Sequence, residues 1–191
     1  MINNVAKNVM QQFNVDRFGE TGILDGGTLS VVLSWMQELV YPWRMHEIDC
    51  DPKACDLARR LAYGATMREL DEVLVHCGHS PNVLDALIYD RAFDEYQSFF
   101  YLDAHDPKGN GPLLEEIAVI SKLQMPIICI DDFEVPGESP DLYTLEMIRP
   151  LVSSRTDAVY VSSPNFHGVH SGFVFLDRRD VVVPGLRRFP F

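Results

Sequence analysis

Residues 20–28 read Glu20-Thr21-Gly22-Ile23-Leu24-Asp25-Gly26-Gly27-Thr28, and the fold follows from how this stretch is placed. Glycines at 22 and 26 let the backbone turn tightly and approach a ligand, with a helix starting immediately after. The spacing is not GxGxxG, so the stretch carries no dinucleotide fingerprint. Taken alone it reads equally well as an ordinary strand-to-helix loop. Three further marks follow it in the chain: Glu47, then Asp103-Ala104-His105, then Asp131-Asp132. Each stands where a short apolar run ends. In a parallel α/β sheet, ligands bind in the crevice beyond the carboxyl ends of the strands.

Working outward, short apolar runs alternate with helical patterns, as in a parallel α/β sheet. Helices are expected over 3–13, 28–40, 52–63, 81–89, from Pro112, and over 142–152. Strands are expected over 15–20, 44–48, 73–76, 98–102 and 127–130. The run Ile127-Ile128-Cys129-Ile130 is continuously apolar, which suits a strand buried on both faces. Two strands, 158–162 and 171–176, close the chain around Pro164-Asn165-Phe166-His167-Gly168, a loop that predicts an antiparallel pair. Arg178, Arg179, Arg187 and Arg188 read as a solvated basic tail.

The 191 residues fit one domain, 1–191, with a sizeable core. A net charge of -12 argues against nucleic acid as the main partner, because phosphate binding needs a basic face. No apolar stretch approaches the roughly 20 residues that span a bilayer, and the first residues lack the pattern of a signal peptide. The four cysteines form no CxxC pair. Reduced thiols and a cytoplasmic location are the expectation.

Glu47 follows a strand and comes roughly 20 residues after the glycine turn, where a carboxylate can accept from both hydroxyls of a ribose. Its neighbours Asp49 and Asp51 read as caps of the next helix. Gly78-His79-Ser80 follows the third strand and is placed to border an adenine, although Ser80 is also a good N-cap with Pro81 at the first helical position. Asp103, Asp131 and Asp132 follow strands expected to be neighbours. Carboxylates gathered in one crevice repel unless a cation, protons or basic partners compensate, and hard oxygen ligands suit Mg²⁺, Mn²⁺ or Ca²⁺. The alternative is that one caps a helix and the others are hydrated. His105 has the right side chain for a general base near neutral pH.

Together, Glu20 to Thr28, His46-Glu47-Ile48-Asp49, Gly78-His79-Ser80-Pro81, Tyr101 to His105, Pro112 to Glu116 and Ile130-Asp131-Asp132 resemble a family. Over about residues 16–177 the chain is similar to small class I S-adenosylmethionine-dependent methyltransferases, specifically bacterial proteins with a strand-one motif of the type ETGTxxGxT. The resemblance implies a Rossmann-like α/β fold with a seven-stranded, mostly parallel sheet in the order 3-2-1-4-5-7-6, strand seven antiparallel. It implies S-adenosylmethionine as cofactor, with contacts from Glu20, Gly22, Gly26, Thr28, Glu47, Gly78, His79, Ser80 and Asp103. In metal-dependent members, acidic residues after strands four and five hold a divalent cation, and the matching positions are Asp103, Asp131 and Asp132. His79 departs from the acidic residue that many members carry in the loop after strand three.

The expected activity is therefore methyl transfer to a hydroxyl of a small molecule or sugar, with Mg²⁺ or a similar ion assisting and His105 and Asp103 at the reacting end. The alternative is a catalytically inactive cofactor-binding or structural protein on the same fold. A different enzyme on this scaffold is a third reading. No membrane partner is expected, and oligomeric state is left open.

Overall fold

The computed structural model describes residues 2–63, 72–93, 97–104, 111–135, 143–164, 169–178 and 181–191. In chain order these form α1 (Asn4–Gln12), β1 (Arg17–Thr21), α2 (Gly27–Gln37), β2 (Arg44–Asp49), α3 (Pro52–Ala62), β3 (Glu72–Cys77) and α4 (Ser80–Tyr89). There follow β4 (Ser98–Leu102), α5 (Leu113–Ile120), β5 (Ile127–Ile130), α6 (Leu145–Val152), β6 (Ala158–Ser162), β7 (Gly172–Phe175) and β8 (Leu186–Pro190).

The strands make one sheet in the order β3-β2-β1-β4-β5-β7-β6-β8. The ladders among β3, β2, β1, β4 and β5 are parallel. β7 runs antiparallel to β5 and to β6. This is the expected Rossmann-like order with its reversed strand, extended by one. β8 pairs antiparallel with β6 and forms the edge. The sequence reading left residues 187 and 188 in a solvated tail, because Leu186-Arg187-Arg188-Phe189-Pro190 carries no alternation of apolar and polar residues. The strand owes its existence to the open edge of β6 rather than to its own pattern. At an edge, Pro190 and two arginines are tolerated.

Alternation along the strands builds a core on each face. Phe18, Phe99, Tyr101, Cys129 and Phe173 pack with Val9 of α1, Leu29 and Val32 of α2, and Ala54 and Ala58 of α3. On the other face Phe100, Ile128, Ile130 and Val174 pack with Leu84 of α4, Leu113 and Ile117 of α5, and Ile148 of α6. The buried set Leu29, Val32, Leu33 and Met36 falls on one face of α2 by its i, i+3, i+4, i+7 spacing. Asp51 caps α3, accepting Lys53 N at 2.9 Å, with Pro52 in the first turn.

Two local readings change. The N-cap of α4 is His79, which makes no side-chain cap bond, and Ser80 is the first helical residue. Its hydroxyl is directed to Glu116 of α5 instead. β2 runs one residue past Ile48, to Asp49, because β3 continues alongside it and pairs Asp49 with Cys77. Among the described residues no helix is long and apolar enough to cross a membrane.

Candidate active site

β1 lies between β2 and β4, so the chain winds outward from it in both directions. The crevice beyond β1 and β4 is the topological switch point, where open α/β sheets place ligands. Backbone bonds carry the ladders one residue further and bring the strand ends to a common edge. Gly78 N donates to Asp49 O at 2.8 Å, Gly22 N to Ile48 O at 3.0 Å, Asp103 N to Thr21 O at 3.0 Å and Asp131 N to Leu102 O at 3.1 Å. Gly22 has φ +85, and a Cβ there would stand 2.5 Å from Asp103 O. Only glycine lets the chain turn this close to the neighbouring strand. Gly26 has φ +72 and is the N-cap of α2.

A cavity of about 610 Å³ opens at this edge, within the roughly 300–1,000 Å³ typical of small-molecule sites. The Gly22 turn, Leu24 and Ile48 form one wall; Asp49, Cys50, Asp51 and Ala54 form the next. His79 and Ser80 come from the loop after β3 and the start of α4. Asp103, Ala104, Gly111, Pro112 and Glu115 complete it. Asp49 is braced for its place there. Its Oδ2 accepts Ile23 N at 2.8 Å and Leu24 N at 3.4 Å, and its Oδ1 accepts Asp51 N at 2.7 Å. One carboxylate thus ties the glycine turn to the start of α3, and its Oδ1 has lone-pair capacity left for a ligand. Asp49, Asp51, Asp103 and Glu115 make the lining acidic, which favours a cationic ligand.

Of the residues singled out in the sequence, Gly22, His79, Ser80 and Asp103 line this cavity. Glu20, Thr28 and Glu47 do not; they lie beneath it. Glu47 is 0% exposed and stands directly opposite Glu20 across the β1–β2 ladder. Burial raises both carboxyls, Glu47 to about 7 and Glu20 well above the usual carboxylate range, with the charge of Glu47 adding to the rise at Glu20 and the Thr28 hydroxyl opposing it. Two carboxylates facing each other in a dry site hold a proton between them. This placement removes Glu47 from the ribose-binding position expected of it. The β2 residue at the cavity is Asp49, two positions further on. Gly26 and Gly78 shape the loops on either side without lining the cavity.

Glu116, 0% exposed, sits under the wall formed by Ser80 and Pro112. Its Oε1 accepts the Ser80 hydroxyl at 2.5 Å. Burial pushes Glu116 up to about 7, against the lowering effect of the Ser80 and Thr21 hydroxyls.

The third expectation, a cation on Asp103, Asp131 and Asp132, is not matched by the donor geometry. Among the described residues no group of three His, Cys, Asp or Glu side chains is arranged to hold a metal ion. Asp131 is buried and turned toward β7, where its Oδ1 accepts the Ser171 hydroxyl at 3.2 Å. Asp132 follows at φ 52, in the left-handed region, and neither residue lines the cavity. The strand ends are adjacent as expected, but of the three only Asp103 lines the cavity. His105 lies outside the described residues; Ala104, just before it, is on the cavity wall.

The residue that sequence reasoning misplaced is Asp49. A usable signal was there: the pair Asp51-Pro52 starts a helix, so the strand can run on to Asp49 rather than stop at Ile48.

No protein-family model matches the chain, and no curated protein sequence is similar to it. Solved structures are similar in fold. The O-methyltransferase from Bacillus cereus in complex with SAH superposes with TM-score 0.66 at 19% identity, over 93% of this chain and 83% of that one. TomG, an O-methyltransferase from Streptomyces achromogenes involved in tomaymycin synthesis, solved with SAM, gives 0.63 at 17% identity over 92% and 81%. The SAH-bound methyltransferase PaMTH1 from Podospora anserina gives 0.56 at 15% identity over 87% and 74%. At these identities the likeness is one of fold.

Proposed function

We propose that this chain is an S-adenosylmethionine-dependent methyltransferase that transfers a methyl group to a hydroxyl of a small molecule or sugar. The observation that carries the reading is the position of Asp49, at the carboxyl end of β2 and hydrogen-bonded to the glycine turn at the switch point of the sheet. The fold shared with O-methyltransferases supports it. So does the acidic lining, since the cofactor carries a sulfonium and an ammonium.

In this reading Asp49 takes the two ribose hydroxyls, and the Gly22 turn, which packs on Asp103, receives the amino-acid end. The base then extends toward β3, between His79 and Ser80 on one side and Pro112 and Glu115 on the other. S-adenosylmethionine, when bound, supplies a methyl group on a positively charged sulfur. What the chain contributes is chiefly position: it holds the acceptor oxygen in line and excludes competing water. His105, which follows the cavity residue Ala104, is assigned the acceptor's proton, and Asp103 is assigned to orient the reacting end. Metal assistance is the finer form of this reading and is not adopted. Its three aspartates form no group arranged to hold an ion among the described residues, so no step is assigned to a cation.

Calorimetric titration with S-adenosylmethionine and S-adenosylhomocysteine tests the proposal. Micromolar binding of either is the expected result; binding of neither overturns it. Binding without methyl transfer to any of a panel of hydroxylated acceptors would move the non-catalytic cofactor-binding reading ahead.

A further inference from the structure

Two of the four cysteines meet where α3 packs on the end of β3. Side chains along β3 alternate between the faces of the sheet. His76 belongs to the α4 side: its Nε2 stands 3.1 Å from His46 Nδ1, and the His46 ring packs on Phe93, in the same cluster as Leu84 of α4. Cys77, the last residue of β3, therefore falls on the opposite face with Val73 and Val75, which pack in the cluster of Ala54 and Ala58 of α3. Cys55 lies on α3 between those two alanines and is 0% exposed. Its Sγ stands 3.4 Å from Asp49 O and 3.7 Å from His76 O, the carbonyl immediately before Cys77. The Cys55 and Cys77 thiols are within hydrogen-bond reach of one another.

The two thiols differ in access. Cys77 is exposed and Cys55 is buried. Burial pushes the Cys55 thiol up to about 12, with the neighbouring Cys77 thiol adding to the rise. Cys55 thus keeps its proton and is a poor target for an oxidant by itself, because the thiolate is the reactive form. An exposed thiol with a second, sheltered thiol beside it is the arrangement in which a first oxidation product is resolved by its neighbour.

We propose that Cys55 and Cys77 are a redox pair, which a hydroperoxide converts into a disulfide tying α3 to the end of β3. The inference does not depend on what the cavity binds. In the first step Cys77 sulfur attacks the peroxide: an S–O bond forms, the O–O bond breaks, and the leaving oxygen departs as water. The product is a sulfenic acid. In the second step Cys55 sulfur attacks Cys77 sulfur: the S–S bond forms, the S–O bond breaks, and the hydroxide leaves as water with the Cys55 proton. Two thiols are oxidised and one peroxide is reduced to two waters. Asp49 O, which faces the Cys55 thiol, also accepts Gly78 N at 2.8 Å, so the link forms directly behind the Asp49 wall of the cavity.

The test is titration of the reduced full chain with hydrogen peroxide, followed by alkylation and tryptic mapping without reductant. Trypsin cleaves after Lys53, so Cys50 and Cys55 fall on separate peptides, and Cys50 serves as the competing exposed thiol. One equivalent of peroxide is expected to give a Cys55–Cys77 linked peptide, lighter by two hydrogens than its parts and separated again by dithiothreitol. Cys77→Ser is expected to leave Cys55 a free thiol. Cys55→Ser is expected to stop Cys77 at the sulfenic acid, which dimedone traps. In urea the contact is lost, and the shorter Cys50–Cys55 loop is expected to close in preference. Should Cys55→Ser fail to fold, wild type and Cys77→Ser decide the matter. Four results overturn the inference: no linkage in folded wild type, a main product through Cys50, Cys77 oxidised with Cys55 still free, or Cys55–Cys77 persisting as the main product in urea.

Discussion

Glu20 and Glu47 face each other across the β1–β2 ladder with no solvent access, and each raises the question of where its negative charge goes. Charging both at once in a low-dielectric site is unfavourable by several kcal/mol, so a proton stays with the pair near neutral pH. The pair lies beneath the cavity rather than in it. A carboxylate buried this way is a matter of stability and pH, whereas the cofactor's hydroxyls call for a charged acceptor at the surface of the site. On the proposed reading, Asp49 is that acceptor.

Asp49→Ala is accordingly expected to weaken S-adenosylhomocysteine binding by about 1.5–3 kcal/mol, the range for a hydrogen bond to a charged group. Glu47→Gln, at the fully buried site, is expected to leave the affinity within about threefold. Calorimetry on both variants checks this. A larger loss in Glu47→Gln than in Asp49→Ala would return the ribose to Glu47.

The acid pair makes a signed prediction about pH. Glu47 and Glu116 both titrate near 7 in the folded protein, raised from 4.5 by burial. A carboxyl raised on folding contributes stability that is fully present below 4.5 and is lost as pH rises through 7. His46, lowered to about 3 by burial and by the neighbouring His76, acts in the opposite sense: its contribution is present above 6.5 and is lost as pH falls toward 3. Wild-type stability alone therefore mixes two trends. The difference between Glu47→Gln and wild type isolates one of them. It should be small at pH 5 and stabilising by on the order of 1–3 kcal/mol at pH 8.5, read as a higher midpoint in urea. A variant no more stable than wild type at pH 8.5 would mean that Glu47 is charged and compensated in the folded state.

Gly22 should tolerate no side chain. Its positive φ and the 2.5 Å approach of a built Cβ to Asp103 O put backbone, not a movable side chain, in the way. Gly22→Ala is expected to lose about 1–3 kcal/mol of stability, and Gly22→Val to lose cofactor binding while still unfolding in one cooperative transition. Normal binding in Gly22→Val would reduce the turn to a connector.

Divalent ions offer a further check. Anything that binds the native state alone raises the melting temperature by mass action. Because Asp131 accepts the Ser171 hydroxyl and the described residues hold no group arranged around an ion, Mg²⁺, Mn²⁺ or Ca²⁺ at millimolar concentration should give no stabilisation that Asp131→Asn or Asp103→Asn removes. A shift present in wild type and abolished in both variants would restore the metal-assisted form of the mechanism.

The succession of strands and helices was legible in the chain itself, from apolar runs of four to six residues, helical spacing between them, and a reversed final pair. The order of the strands in the sheet came from the family resemblance, since no local signature carries it. The position of the crevice followed, because the glycine turn at 22 and the acidic residues after the strands mark carboxyl ends whatever the partners are. The depth of a side chain along a strand carries no such signature. Glu47 and Asp49 lie on the same face of β2, two residues and roughly 6.6 Å apart, and either satisfies the pattern of an acidic residue after the second strand. Which one meets a ligand depends on where β2 stops being covered. That is decided by Thr21 pairing with Ile48 and by Cys77 pairing with Asp49, contacts 27 and 28 residues away in sequence. The same holds for Ser80, a good local N-cap whose hydroxyl goes to Glu116 on another helix, and for β8, a strand only because β6 offers an open edge. Local periodicity determined the elements and their succession. Long-range pairing and burial, which no local window contains, decided which acids are hidden and which line the site.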